Sequence, residues 1–238
     1  MLNQPGWAVR LTGNGTDICD LRDRLPAPFD PWVEDNHSPG NSGLMLRSHR
    51  WEKLTSARDV SQDAERILER LHGEALLYDA AAKRVEPGLV YEFRPDGTCC
   101  TTVLLCRAEA SAFALRMRVT QTSSAPDDDA SQRSATETQR WFEEAEADDL
   151  RAQLFTHVSR YEGWFDIYKV MELMRRILGN DKKLQGELGG DKQEWIRIWR
   201  TANHHRHAPN PAKYPLPAPP AELDESWSFV LKVVRRLI

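Results

Sequence analysis

The 238-residue chain contains no run approaching about 18 consecutive apolar residues, so no membrane-spanning helix is expected. Its first residues, Met1 to Gly6, lack the basic and apolar regions of a secretory signal, and a cytoplasmic location follows as the expectation. Cysteine is scarce. Of the four, Cys99 and Cys100 are adjacent while Cys19 and Cys106 stand alone. None forms a C-x-x-C pair, so zinc-ribbon and thioredoxin-type readings have no support, and the four are read as reduced thiols. Also missing are G-x-x-x-x-G-K, a G-x-G-x-x-G after a strand, the G-x-S-x-G elbow and H-E-x-x-H. P-loop nucleotide hydrolysis, Rossmann redox chemistry and zincin proteolysis therefore lack their motifs, and no cofactor is expected. No repeat at a solenoid period is present.

What the chain does have is enough apolar surface to fold: 40% hydrophobic residues, with eight Trp, seven Phe and five Tyr. Its length favours two domains over one. The net charge of −4 is unevenly distributed. Residues 1–150 carry 17 Lys and Arg against 26 Asp and Glu, whereas residues 151–238 carry 15 against 10 and hold four of the seven histidines. A basic carboxy-terminal half fits either nucleic-acid contact or ordinary surface composition.

Patterning predicts an α+β protein. Residues 1–120 read as a small antiparallel sheet with one helix. Trp7 to Leu11 alternates as a half-buried strand, Gly13-Asn14-Gly15 reads as a turn, and Gly43 to Ser48 is a short strand. Ala64, Ile67, Leu68, Leu71 and Ala75 follow helical spacing, with Gly73 as the expected stop. Gly88–Phe93 and Cys99–Cys106, joined through Asp96-Gly97, form a predicted hairpin, and Phe113–Val119 adds a strand. Residues 121–137 are acidic and nearly free of large apolar side chains, a linker pattern. Residues 138–238 predict a four-helix bundle. Gly163 separates its first two helices, Gly179-Asn180 ends the second, and Gly186 to Gly190 forms a mobile connection. A third helix starts near Asp191. The six prolines between Ala208 and Pro220 make an extended strap, and a last amphipathic helix runs from Leu223 to Leu237.

One cluster stands out: Trp199-Arg200-Thr201-Ala202-Asn203-His204-His205-Arg206-His207, at the carboxy end of the third helix. On a helix, Arg200 shares a face with Asn203 and His204. Cleaving RNA through its own 2′-hydroxyl needs a proton acceptor, a proton donor and a fixed cation, which imidazole and guanidinium supply near neutral pH. Histidines at a helix end also interact simply with the terminal carbonyls. The H-H-x-H spacing of His204, His205 and His207 is not a usual zinc pattern, so no metal is expected. Trp195 and Trp199 suit base stacking or a helical core, the core being the commoner use. Glu172 suits an ion pair across the bundle.

The helical half resembles the HEPN superfamily, known for metal-independent ribonucleases of bacterial immunity and toxin systems. The resemblance rests on an Arg followed after four to six residues by His near a helix end, met by Arg200 with His205 and with His207, and on the runs Trp164–Glu172 and Arg197–Asn203. It implies an RNA-binding or RNA-cleaving component, dimeric through the helical half, with the β-rich half free to take a protein partner. In that scheme Arg200 holds phosphate, His205 or His207 moves protons, Asn203 orients the histidine, and His204, Arg206 and Arg197 bind the nucleic acid. Active members usually carry Asn, Asp or His directly after the Arg, where this chain has Thr201. The alternative is a non-catalytic adaptor or dimerisation module recognising a protein partner. Convergence of Arg200 and the histidines on a groove open to solvent favours the first reading. Splayed side chains, cover by the strap or an exposed Trp-rich surface favour the second.

Overall fold

The computed structural model describes residues 5–36, 42–96, 98–102, 134–207 and 213–237. The α+β class is borne out, and the chain divides into two compact units. Met1–Leu68 and Lys83–Glu143 form one; Glu69–Ala82 and Glu144–Ile238 form the other.

The first unit is built on β1 (Gly6–Thr12), α1 (Gly15–Arg24), β2 (Trp32–Asn36), β3 (Gly43–Arg47), the first half of α2 (Ala57–Tyr78), β4 (Glu86–Phe93) and β5 (Cys99–Thr102). The strands make one antiparallel sheet in the order β2-β3-β1-β4-β5. The predicted β4–β5 hairpin is present, with Phe93 opposite Cys99. Two indoles anchor the short 3-10 turn His49–Lys53 and the loop after it: Trp7 Nε1 donates to the Leu54 carbonyl at 2.8 Å, and Trp51 Nε1 donates to Asp63 Oδ2 at 2.8 Å. Trp51 is wholly buried, so its N–H needs this acceptor.

Two expectations for this half change. Asn14 does not close a turn; its side chain accepts from Thr16 N at 2.9 Å and starts α1. That helix buries only Leu21 along its length, too little for an apolar stripe to show in the sequence. Nor does α2 stop at Gly73. It runs to Tyr78, and Gly73 serves close packing instead: a Cβ there would meet the Phe155 carbonyl oxygen at 2.0 Å. The predicted strand Phe113–Val119 and most of the acidic segment lie outside the described residues.

The second unit holds α4 (Asp149–Ser159), α5 (Trp164–Ile177), α6 (Asp181–Leu188), α7 (Lys192–Arg206) and α8 (Leu223–Leu237), with the later part of α2. The preceding helix, α3 (Glu137–Ala147), begins in the first unit, where Gln139 Nε2 reaches the carbonyls of Pro26, Phe29 and Pro31. Asp148 caps α4 by accepting from Leu150 N at 2.9 Å, which breaks what reads in sequence as one helix. Central to the unit is α5, in contact with α4, α6, α7 and α8 and burying Ile167, Val170, Met171, Leu173 and Met174. The breaks at Gly163 and Gly179 are as expected, Gly179 taking φ +92°. The expected loop before Asp191 is instead mostly α6. Asn180 caps it through Lys183 N, and Leu184 and Leu188 are buried. Where four helices were expected over residues 138–238, the described residues hold six, α3 to α8, and the end of α2 packs in the same unit as the last five.

Candidate functional site

Helix α7 turns Trp195, Ile198 and Ala202 into the core. Directly opposite that face, Arg200 is exposed and makes no hydrogen bond or ion pair among the described residues. One turn later, His204 Nδ1 lies 2.7 Å from the carbonyl oxygen of Tyr214 in the strap. A carbonyl only accepts, so Nδ1 carries the hydrogen and the neutral ring keeps its lone pair on Nε2. At the helix end, His207 stacks on the Tyr214 ring at 4.4 Å, and Lys213 stands 5.4 Å from the same ring. One strap tyrosine thus positions two imidazoles on the Arg200 side of the helix.

His205 faces elsewhere. Five residues around a helix is a rotation of about 140°, which takes its ring away from Arg200. It stacks on Trp164 at 5.1 Å and nearly parallel, with His204 edge-on at 5.5 Å. The side chain is exposed, but partial desolvation where the ring lies on Trp164, and secondarily the neighbouring His204, hold the His205 imidazole below its ordinary range. Arg206 also turns towards α5, its guanidinium 4.2 Å from the Tyr168 ring. Tyr214 therefore links His204 and His207, helix geometry puts Arg200 on the same side of α7, His205 touches His204 edge-on while facing Trp164, and Arg206 turns to Tyr168.

The remaining predicted residues are placed as follows. Arg197 pairs with Glu194 at 2.6 Å and donates to the Pro220 carbonyl at 3.1 Å, so it holds the strap. Asn203 is half-buried, and its backbone carbonyl accepts from His207 N at 3.2 Å. Thr201 is wholly buried, donating to the Arg197 carbonyl and accepting from Ala221 N. Glu172 pairs within its own helix, with Lys169 at 2.9 Å. The Lys169 hydrogen bond and charge, with Arg206 and Arg175 beyond, keep its carboxyl below the ordinary range.

The chain matches no family model, no curated protein and no solved structure. Among the described residues there is no group of three or more His, Cys, Asp or Glu that could hold a metal ion, and no helix long and apolar enough to cross a membrane.

Sequence reasoning did not single out Tyr214, Trp164, Tyr168 or Arg175. The last three stand at positions i, i+4 and i+11 of α5, a spacing that also describes an ordinary core stripe. In the fold they build a ladder with α7. Trp164 faces His205, Tyr168 lies between Arg206 and Trp199 with its ring 4.6 Å from the indole, and Arg175 stands 6.0 Å from Trp199. Aromatic faces and guanidinium groups thus alternate along the α5–α7 seam.

Proposed function

We propose that the helical unit is a metal-independent, HEPN-like ribonuclease acting in a bacterial defence or toxin system, and that Arg200, His204 and His207 form its reactive group. The observation that carries this reading is the placement of an exposed guanidinium, without a partner among the described residues, on the same side of α7 as two imidazoles positioned by Tyr214. A paired surface arginine would be spent on its partner; an unpaired one can bind a phosphate in two-point fashion.

In the proposed reaction His204 Nε2 takes the proton of an RNA 2′-hydroxyl. The 2′-oxygen attacks the adjacent phosphorus, the bond to the 5′-oxygen breaks, and protonated His207 returns a proton to that oxygen. The products are a 2′,3′-cyclic phosphate and a 5′-hydroxyl. Arg200 stabilises the charge gathering on the phosphoryl oxygens. Two copies facing one another through the helical unit would form the groove, as the resemblance implies, with Lys213 adding positive charge beside it.

The test is cleavage of single-stranded RNA by the purified protein. Arg200→Ala, His204→Ala and His207→Ala should each abolish it, whereas His205→Ala should leave it within a few-fold of the parent. Unchanged cleavage in Arg200→Ala and His204→Ala, or no cleavage by the parent, removes the assignment.

A non-catalytic adaptor is the second reading, favoured by one observation: Phe165, at the start of α5, is 54% exposed. The expected Trp-rich surface is not what carries it, since the exposed large apolar residues among the described ones are Phe165, Tyr78 and Leu216.

A further inference from the structure

A cavity of about 180 Å³ opens between α5, α6 and α7. Its walls are apolar, from Met171, Leu184, Trp195, Ile196 and Trp199, and its rim is polar, from Arg175, Asp181 and Gln185. The volume falls below the roughly 300 Å³ at which pockets for drug-sized ligands begin, so it takes a single ring system and not an acyl chain or a peptide.

The chemistry of the lining narrows the ligand further. Two indoles one turn apart on α7 present flat apolar surface, which favours a planar guest. Arg175 sits at the mouth, 6.0 Å from the Trp199 ring and 3.5 Å from the Asp181 carboxylate, a position from which it can meet an anion attached to that guest. Both members of that ion pair are substantially exposed, so the pair is held only weakly and can open to a ligand at little cost. Asp181 and Gln185 offer an acceptor and an amide to the edge of a nitrogen heterocycle. The cavity also continues into the aromatic and cationic ladder, because Trp199 lines it and touches Tyr168.

We infer that this cavity is a nucleotide subsite: it takes one unstacked base against Trp199 and Trp195, with the attached phosphate on Arg175. Deepening the ribonuclease reading, on which it rests for its biological setting, it would hold one unit of an RNA strand whose neighbours stack along Tyr168 and Trp164. A free mononucleotide offers the same base and phosphate, and the two sources separate by affinity.

The experiment uses the full chain and follows the indole N–H signals of Trp195 and Trp199 by NMR. The probes are the four 5′-nucleoside monophosphates, the corresponding nucleosides, inorganic phosphate and a short single-stranded RNA. Saturable shifts of both indoles with nucleotides are expected, weaker with nucleosides and absent with inorganic phosphate. Arg175→Ala, a substitution at an exposed position, should weaken nucleotide binding by about tenfold, the scale of one charge-assisted hydrogen bond. A strand unit is indicated if the oligonucleotide binds more tightly than any monophosphate, a free nucleotide if it does not; both support the subsite. Indole signals unmoved by every nucleotide, or nucleotide affinity unchanged in Arg175→Ala, overturn it. RNA cleavage that depends on Arg200 alongside silent indoles sinks the subsite and leaves the ribonuclease standing. Shifted indoles without RNA cleavage do the reverse.

Discussion

The Thr201 hydroxyl accepts a hydrogen bond from the Ala221 backbone N–H at 3.1 Å while donating to the Arg197 carbonyl at 3.0 Å. The position directly after Arg200 is thus committed to fastening the strap onto α7. The strap in turn delivers Tyr214 to His204 and His207.

Replacing Thr201 by Val keeps the shape and removes the acceptor. The buried Ala221 N–H would then lack a partner, at a cost of about 1–3 kcal/mol. Thr201→Val should lower stability by that amount in chemical denaturation, and Thr201→Ser should recover most of it. Equal stability of the Val and Ser variants would show that the hydroxyl does not fasten the strap.

Gly73→Ala sets two effects against each other. Alanine gains about 1 kcal/mol in helix propensity. Its Cβ, however, would meet the Phe155 backbone at 2.0 Å from the oxygen and 2.7 Å from the carbon, atoms that cannot rotate aside. Such overpacking costs about 1–3 kcal/mol or more. Net destabilisation is expected in thermal or urea unfolding; a stabilised variant would mean that α2 and α4 do not approach closely at this point.

His205 predicts a pH dependence of stability. Its folded-state imidazole titrates below the unfolded value of about 6.5, because partial desolvation against Trp164, on an otherwise exposed side chain, and the neighbouring His204 disfavour the cation. The unfolded chain therefore binds more protons at mildly acidic pH. His205 contributes stability above that unfolded value, and the contribution is lost as pH falls through the folded one. Denaturation measured from pH 7.5 down to pH 5 should show a decline that is shallower in His205→Phe, which keeps the stacking on Trp164. Parallel curves for the two proteins would contradict the desolvation argument.

Salt dependence separates phosphate contact from stacking. With single-stranded RNA, removing one phosphate-binding cation lowers the slope of log affinity against log salt by about 0.7. Arg200→Ala should do so without loss of stability, since the side chain is exposed and has no partner among the described residues. Tyr168→Leu should weaken binding with the slope retained. An Arg200→Ala slope equal to that of the parent would remove the phosphate role.

Much of the architecture was legible because it rests on local periodicity. The alternation in Trp7–Leu11, the Asp96-Gly97 hairpin signal, Gly163, Gly179 and the apolar stripe of α8 all act within one or two turns of chain. The features that escaped are those in which local signal is weak or a residue serves a distant partner. α1 buries one side chain, Gly186 inside α6 resembles a breaker, and Gly73 resembles a stop although the Phe155 backbone accounts for it. The cluster around Arg200 was likewise visible as composition, yet its partners were not: nothing local to the helix names Trp164 for His205 or Tyr214 for His204 and His207.

By itself, then, the chain's order of residues determined the α+β class, most element types, the basic carboxy-terminal half and the concentration of Arg and His at one helix end. Tertiary structure decided what each imidazole meets, because a helix sets only the angle between side chains. Packing settles which side faces Trp164 and which faces the strap. It also made the cavity of about 180 Å³, whose walls come from three consecutive helices, α5, α6 and α7, that must pack together before it exists.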